Sequence, residues 1–204
     1  MPRLFAGLEL PPDVVDALRR LRSPIPGARW VDSADFHLTL RFFGDVDART
    51  ARDLSDALAQ IDQPIFPVSL KGLGIFGSKE PTALWAAVEP NEPLVSLHNA
   101  TERAARLVGL KPETRNFKPH ITLARLRRPR PEAVARFMTH NGGFTAEPFT
   151  ATRIALFSAK PHTGGGPYAV EDVFPLRGGD WDDDDELVDW SADGDHADSG
   201  RGWR

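Results

Sequence analysis

The chain carries the same four-residue frame twice. "DFHLTLRF", from Asp35 to Phe42, contains His37-Leu38-Thr39-Leu40, and "NFKPHITLAR", from Asn116 to Arg125, contains His120-Ile121-Thr122-Leu123. Polar and apolar residues alternate through both, the pattern of a strand with one face in a core. His37 and Thr39 then share a face, as do His120 and Thr122. Leu38, Leu40, Ile121 and Leu123 point the other way. A fold that accepts this pattern twice must bury one face of two separate strands and leave the opposite faces open.

The intervening sequence says what surrounds those strands. "RLFAGLEL" reads as a strand that stops at Pro11-Pro12, and "DVVDALRRLRS" places Val14, Val15, Leu18 and Leu21 at helical spacing. One strand is expected from about Phe36 to Phe43, closed by Gly44-Asp45. "DARTARDLSDALAQI" reads as a helix with Leu54, Leu58 and Ile61 on one face. "FPVSLKGLGIF" and "TALWAAVEP" read as strands around the polar loop "GSKEP". A helix over "EPLVSLHNATERAARLVGL" should bury Leu94, Leu97, Ala104 and Leu107. "HITLARL" is a strand, and "RPEAVARFMTHN" is a short helix with Pro131 near its start. "PFTATRIALFSAK" and "YAVEDVFPL" read as one strand each, joined across "PHTGGGP". The order of the first half thus recurs in the second. The expectation is an α+β fold: two related units with mostly antiparallel sheets rather than a doubly wound parallel sheet.

Charge is unevenly placed. Residues 178–204 hold ten acids and two bases, whereas residues 1–177 hold 19 acids and 23 bases. The body is mildly basic and suits a polyanionic partner. The tail, with few aliphatic residues, is expected to be a disordered acidic extension, although Trp181, Trp190 and Trp203 are unusual in such a segment. The single-domain body therefore spans 1–177 and the tail 178–204. There is no cysteine, which excludes disulfides, thiolate nucleophiles and cysteine zinc sites. "MPRLFAGLELPPDVV" lacks the unbroken apolar core of a secretory signal, and no apolar run reaches membrane-spanning length. A cytoplasmic protein is expected.

Two imidazoles facing one another across a cleft suit general acid–base chemistry near neutral pH. One takes a proton from a nucleophile while the other protonates the leaving oxygen. The two hydroxyls can donate to non-bridging oxygens of a bound anion. The set fits an in-line displacement at a phosphodiester and needs no metal. For either frame alone, a half-buried structural His beside a β-favouring Thr is the better reading; two copies in matching contexts favour function.

"HLTL" and "HITL" resemble the paired His-x-Thr-x signatures of the 2H phosphoesterase superfamily. "FKPHITLAR", "LWAAV" and "RLFAGLELP" are similar to words of the bacterial and archaeal RNA 2′,3′-cyclic phosphodiesterases, historically called 2′-5′ RNA ligases. The resemblance covers about residues 3 to 176. It implies a bilobal fold with two antiparallel sheets, flanking helices and a central cleft. It implies hydrolysis of a terminal 2′,3′-cyclic phosphate to a 2′-phosphate, on RNA ends or 2′,3′-cyclic nucleotides, with no cofactor. His37 would be the proton donor and His120 the acceptor that activates water. Thr39 and Thr122 would hold phosphate oxygens.

Arg125 matches the family's arginine after the second frame, but simple alternation puts it on the face opposite His120. Either the strand ends or bulges there, or the side chain curls back. Arg41, at an even offset from His37, should share the active face, as an added phosphate or RNA contact or as a solvated charge. Phe36, Phe42, Phe117 and Trp85 could stack on a base, with core packing the better reading for Phe42 and Trp85. Lys118 and Arg115 are either phosphate contacts or surface charges. Rival readings are a ligase or 2′-5′ phosphodiesterase on RNA ends, and an RNA-end-binding module with little turnover.

Other signals are weaker. "GLGIFG" matches a dinucleotide-binding pattern but precedes a strand, so a strand end and turn is expected. His98, His140, His162 and His196 read as structural or exposed, and His37 and His120 lack a third metal ligand at matching spacing.

Overall fold

The computed structural model of the chain describes residues 2–77, 80–159 and 166–179. Its strands are β1 (Arg3–Glu9), β2 (Ala28–Trp30), β3 (His37–Asp45), β4 (Phe66–Phe76), β5 (Ala83–Val88), β6 (His120–Leu126), β7 (Thr145–Ala151), β8 (Arg153–Ala159) and β9 (Tyr168–Pro175). Its helices are α1 (Pro12–Arg19), α2 (Ala48–Ala59), α3 (Glu92–Leu107) and α4 (Pro131–Asn141), with one 3-10 turn at Ser33–Asp35. The helices start where side chains can take over unpaired amides. Asp47 accepts from Thr50 N at 2.7 Å, and Asn91 accepts from Leu94 N at 2.9 Å. Proline opens α1 and α4, where its missing N–H costs nothing.

The strands form two antiparallel sheets. One has the order β3-β1-β8-β9 and the other β2-β6-β5-β4-β7. The fold is α+β and bilobal, as expected, but the lobes are not the two halves of the sequence. The first sheet joins β1 and β3 to the C-terminal β8 and β9, and the second joins β4 and β5 to β6 and β7. "PFTATRIALFSAK", read as one strand, divides at Thr152, with β7 in the second sheet and β8 in the first. Thr152 O accepts from Leu176 N at 2.8 Å, so the backbone at the crossing is held. Local alternation is blind to this break because both pieces have strand character.

Leu38, Ile121 and Leu123 are 0% exposed and Leu40 is 3% exposed. Burying each such side chain stabilises by about 1.5–3 kcal/mol, so the apolar face of each frame anchors its strand. α3 packs on β3 and β4 and buries Leu94, Leu97, Ala104 and Ala105. Leu107 departs from expectation at 81% exposed, because the helix ends there and its last turn leaves the core. The glycines of "GLGIFG" have structural reasons. Gly74 faces Trp85 across the ladder, and a Cβ there would lie 2.1 Å from the indole Cζ2. Gly77 turns with φ +86°, where an L side chain is strained.

β8 and β9 pair antiparallel; most of the "PHTGGGP" link lies outside the described residues, as do His162, His196 and the tail from residue 180. No helix among the described residues is long and apolar enough to cross a membrane.

Candidate active site

β3 starts at His37 and β6 at His120, and the two strands share one order of burial over seven residues. Each has a half-buried His, a buried aliphatic, a half-buried Thr, two consecutive buried residues, an exposed residue and a buried one. The two consecutive buried residues break strict alternation, and the pairing explains why. Gly7 faces Thr39 and Ala6 faces Arg41, so Leu40 is an extra residue in β3. Trp85 faces Thr122 and Leu84 faces Ala124, so Leu123 is an extra residue in β6. Two residues opposite one is a β-bulge, which re-aims the side chains that follow.

The bulge resolves the odd offset of Arg125. It returns that side chain to the face of His120 and Thr122, where it is exposed on the cleft. The matching bulge in β3 corrects the expectation for Arg41. Arg41 takes the place of Ala124, is 8% exposed, and turns its donors inward although it touches the cleft wall. Its Nε donates to Glu102 Oε2 at 2.5 Å and its Nη2 to Lys111 O at 2.6 Å, with Nη1 on the Phe42 carbonyl. Phe42 takes the frame position of Arg125. It is 48% exposed and lines the cleft, so the core reading of Phe42 is also corrected.

β3 and β6 are in contact, and one cleft of about 970 Å³ is lined by His37, Thr39, His120, Thr122 and Arg125. Both imidazoles are held in the same way. His37 Nδ1 lies 2.8 Å from Asp35 O and His120 Nδ1 lies 2.7 Å from Lys118 O. A carbonyl oxygen only accepts, so Nδ1 carries the proton in each ring and Nε2 is left for chemistry.

The surroundings of the two rings differ. His37 sits among Phe5 (centroids 4.7 Å), Tyr168 (5.0 Å) and Phe157 (5.4 Å). Burial drives its pKa from 6.5 down to about 4, against the bond to Asp35 O and the Asp35 charge, with small further depression from His120 and Arg125. That His120 and Arg125 act on His37 at all reflects their convergence on one site. Asp35 also accepts from Tyr168 N at 2.9 Å through its carboxylate, which ties the start of β9 to this wall. His120 packs edge-on to Phe76 at 4.8 Å and near Trp85 at 5.8 Å. Its pKa is lowered, first by burial and then by the Lys118 charge, with the bond to Lys118 O opposing.

The remaining candidates are placed as follows. Lys118 Nζ lies over Trp85 at 4.5 Å from the ring centroid and lines the cleft. Phe117 lines it too, with one face stacked on His98 at 4.0 Å and 5°. Arg115 lines it but is paired with Glu113, Nη2 to Oε2 at 2.7 Å. That pairing holds the Glu113 carboxyl down at about 2. Phe36 and Trp85 are buried. Sequence reading passed over Tyr168, Phe76 and the arginines Arg22 and Arg29, all on the cleft wall. Arg29 stands directly opposite Arg125 on the β2–β6 ladder. The only sequence signal for Arg29 was the basic body, since β2 is three residues long. Among the described residues, no group of three His, Asp or Glu side chains is arranged to hold a metal ion.

A bilobal α+β fold with two equivalent His-x-Thr strands meeting at one cleft defines a two-histidine phosphoesterase architecture. Residues 10–162 match the 2′-5′ RNA ligase superfamily, and the chain belongs to that family. It is 34% identical over 120 residues to the RNA 2′,3′-cyclic phosphodiesterase of Aeropyrum pernix, covering 56% of this chain and 68% of that protein. It is 28% identical over 190 residues to the Aquifex aeolicus protein of the same name, covering 86% of this chain and 98% of the relative. Among solved structures, Escherichia coli LigT complexed with 3′-AMP superposes with a TM-score of 0.71 at 25% identity, covering 87% of this chain and 99% of that one.

Proposed function

We propose that the chain hydrolyses terminal 2′,3′-cyclic phosphates of RNA to 2′-phosphates by metal-independent acid–base catalysis between His37 and His120. The observation that carries this is the equivalence of the two frames. Each strand bulges at the same position, and each offers an Nε2 and a threonine hydroxyl to one cleft. The names of the relatives support the substrate class.

In this reading His120 Nε2 takes a proton from water as the water oxygen attacks phosphorus. The P–O3′ bond breaks, and His37 Nε2–H protonates the departing 3′-oxygen. A 2′-phosphate and a free 3′-hydroxyl result. Thr39, Thr122 and Arg125 donate to the non-bridging oxygens, where charge accumulates in the transition state. The direction follows the family resemblance. With a pKa of about 4 in the open site, His37 is a strong acid once protonated. The negative charge of a bound phosphate raises both imidazole pKa values and supplies that protonated form. The rate then falls at low pH as His120 protonates and at high pH as His37 loses its proton.

A polynucleotide substrate is supported by the wall built from Arg22, Arg29 and Arg125. Like charges placed directly opposite on a ladder are unfavourable, and a chain of phosphates offsets the cost at Arg29 and Arg125. The test is hydrolysis of 2′,3′-cyclic nucleotides and of cyclic-phosphate-ended oligoribonucleotides in EDTA, with the product followed by ³¹P NMR. A 2′-phosphate is expected. A 3′-phosphate product, or turnover that requires an added metal, would overturn the proposal. Joining of tRNA halves would assign the site to the ligase rival.

A further inference from the structure

The two bulges are equivalent, but their extra carbonyls are satisfied differently. β6 is an interior strand, and the carbonyl of its extra residue, Leu123, accepts from the Val31 backbone N–H at 2.9 Å. Among the described residues β3 is an edge strand, with β1 as its sheet neighbour. No strand among the described residues stands beside β3 to satisfy the carbonyl of its extra residue, Leu40. That carbonyl instead faces the His98 ring, whose Nδ1 lies 2.8 Å away and must be the donor. A side chain from α3 fills the place that a backbone amide fills in the other lobe. The same ring stacks on Phe117, one residue before Lys118, whose carbonyl holds His120.

We propose that His98 is a positioning residue that fixes the β3 bulge by holding the Leu40 carbonyl, as the Val31 amide holds that of Leu123. A bulge is the weakest part of a ladder, because its extra residue is unpaired there. Left free, Leu40 would let the Thr39–Arg41 segment move, and with it the placement of His37 and Thr39 on the cleft. Arg41, bonded to Glu102 on the same helix, holds the next residue. α3 thus clamps β3 at two consecutive positions.

The inference rests on the hydrolase reading and is tested separately from it. His98→Asn keeps an N–H donor where Nδ1 stands but removes the stacking ring. His98→Phe keeps a ring on Phe117 and removes the donor. With a 2′,3′-cyclic nucleotide as substrate, H98F is expected to lower kcat/KM tenfold or more and to lower the unfolding midpoint, and H98N to retain kcat/KM within about threefold with a near wild-type midpoint. H98A is read in place of H98F if the latter does not fold. Wild-type rates in H98F, or equal losses in both variants, would overturn the inference. Inactivity of the wild-type protein itself would sink the hydrolase reading instead. Amide NMR shifts of Thr39 and Arg41 then decide the positioning claim: displaced in H98F and restored in H98N supports it, and unmoved in both contradicts it.

Discussion

Replacing His37 by Gln should remove much of the acid sensitivity of folding. Burial holds the folded pKa at about 4, against an ordinary 6.5. Above pH 6.5 the ring is neutral in both folded and unfolded chains and contributes no pH dependence. As pH falls from there, the unfolded chain takes up a proton that the folded chain refuses until about pH 4. Stability present at neutral pH is therefore lost through that window. Each unit of pKa difference is worth 1.36 kcal/mol, so the loss at pH 4.5 is roughly 2.5 kcal/mol. The cleft-facing edge of the ring meets water, which makes this an upper figure. The assay is urea unfolding of wild type and H37Q at pH 7.5 and pH 4.5. The wild-type stability advantage should shrink, or its deficit grow, by about 2 kcal/mol on acidification. The depressed pKa of His120 acts in the same direction but is common to both proteins. A difference that stays constant with pH would refute the claim that burial controls the His37 ring.

Other perturbations separate the roles of the surrounding residues. Arg125→Gln should cut kcat/KM by about 10²–10³ with little change in melting temperature, measured by steady-state hydrolysis and calorimetry. Glu102→Gln should destabilise by about 2 kcal/mol or more in denaturant titration, because it weakens the partner of the buried Arg41 guanidinium. Gly74→Ala should cost about 1–3 kcal/mol by forcing Trp85 from its place, and the displacement should shift the His120 ring signals in NMR. Arg29→Gln should lower the salt dependence of oligoribonucleotide hydrolysis while leaving cyclic mononucleotide hydrolysis unchanged, read from rates across a salt series.

What sequence could convey was mostly local. Alternation located β4 and β6 at their ends and marked Leu38, Leu40, Ile121 and Leu123 as the buried anchors. The paired histidines stood out because they recur in one frame. The bulges did not stand out, because an extra residue is defined only against a partner strand, and Gly7 and Trp85 lie far away in sequence. That is why Arg125 looked misplaced, Arg41 looked available and Phe42 looked buried. The division at Thr152 and the exchange of strands between lobes are likewise properties of pairing. His98 reads from sequence as structural or exposed; which carbonyl it holds depends on the place of β3 in its sheet, a property of pairing.

The central claim is that His37 and His120 act as one unit on a single cyclic phosphate. Its most direct test is the turnover of a 2′,3′-cyclic nucleotide, in EDTA, by H37A, H120A and the double variant. Each single substitution should lower kcat by about 10²–10⁴, and the double variant should be scarcely worse than the poorer single one. Near wild-type turnover by either single variant would contradict it.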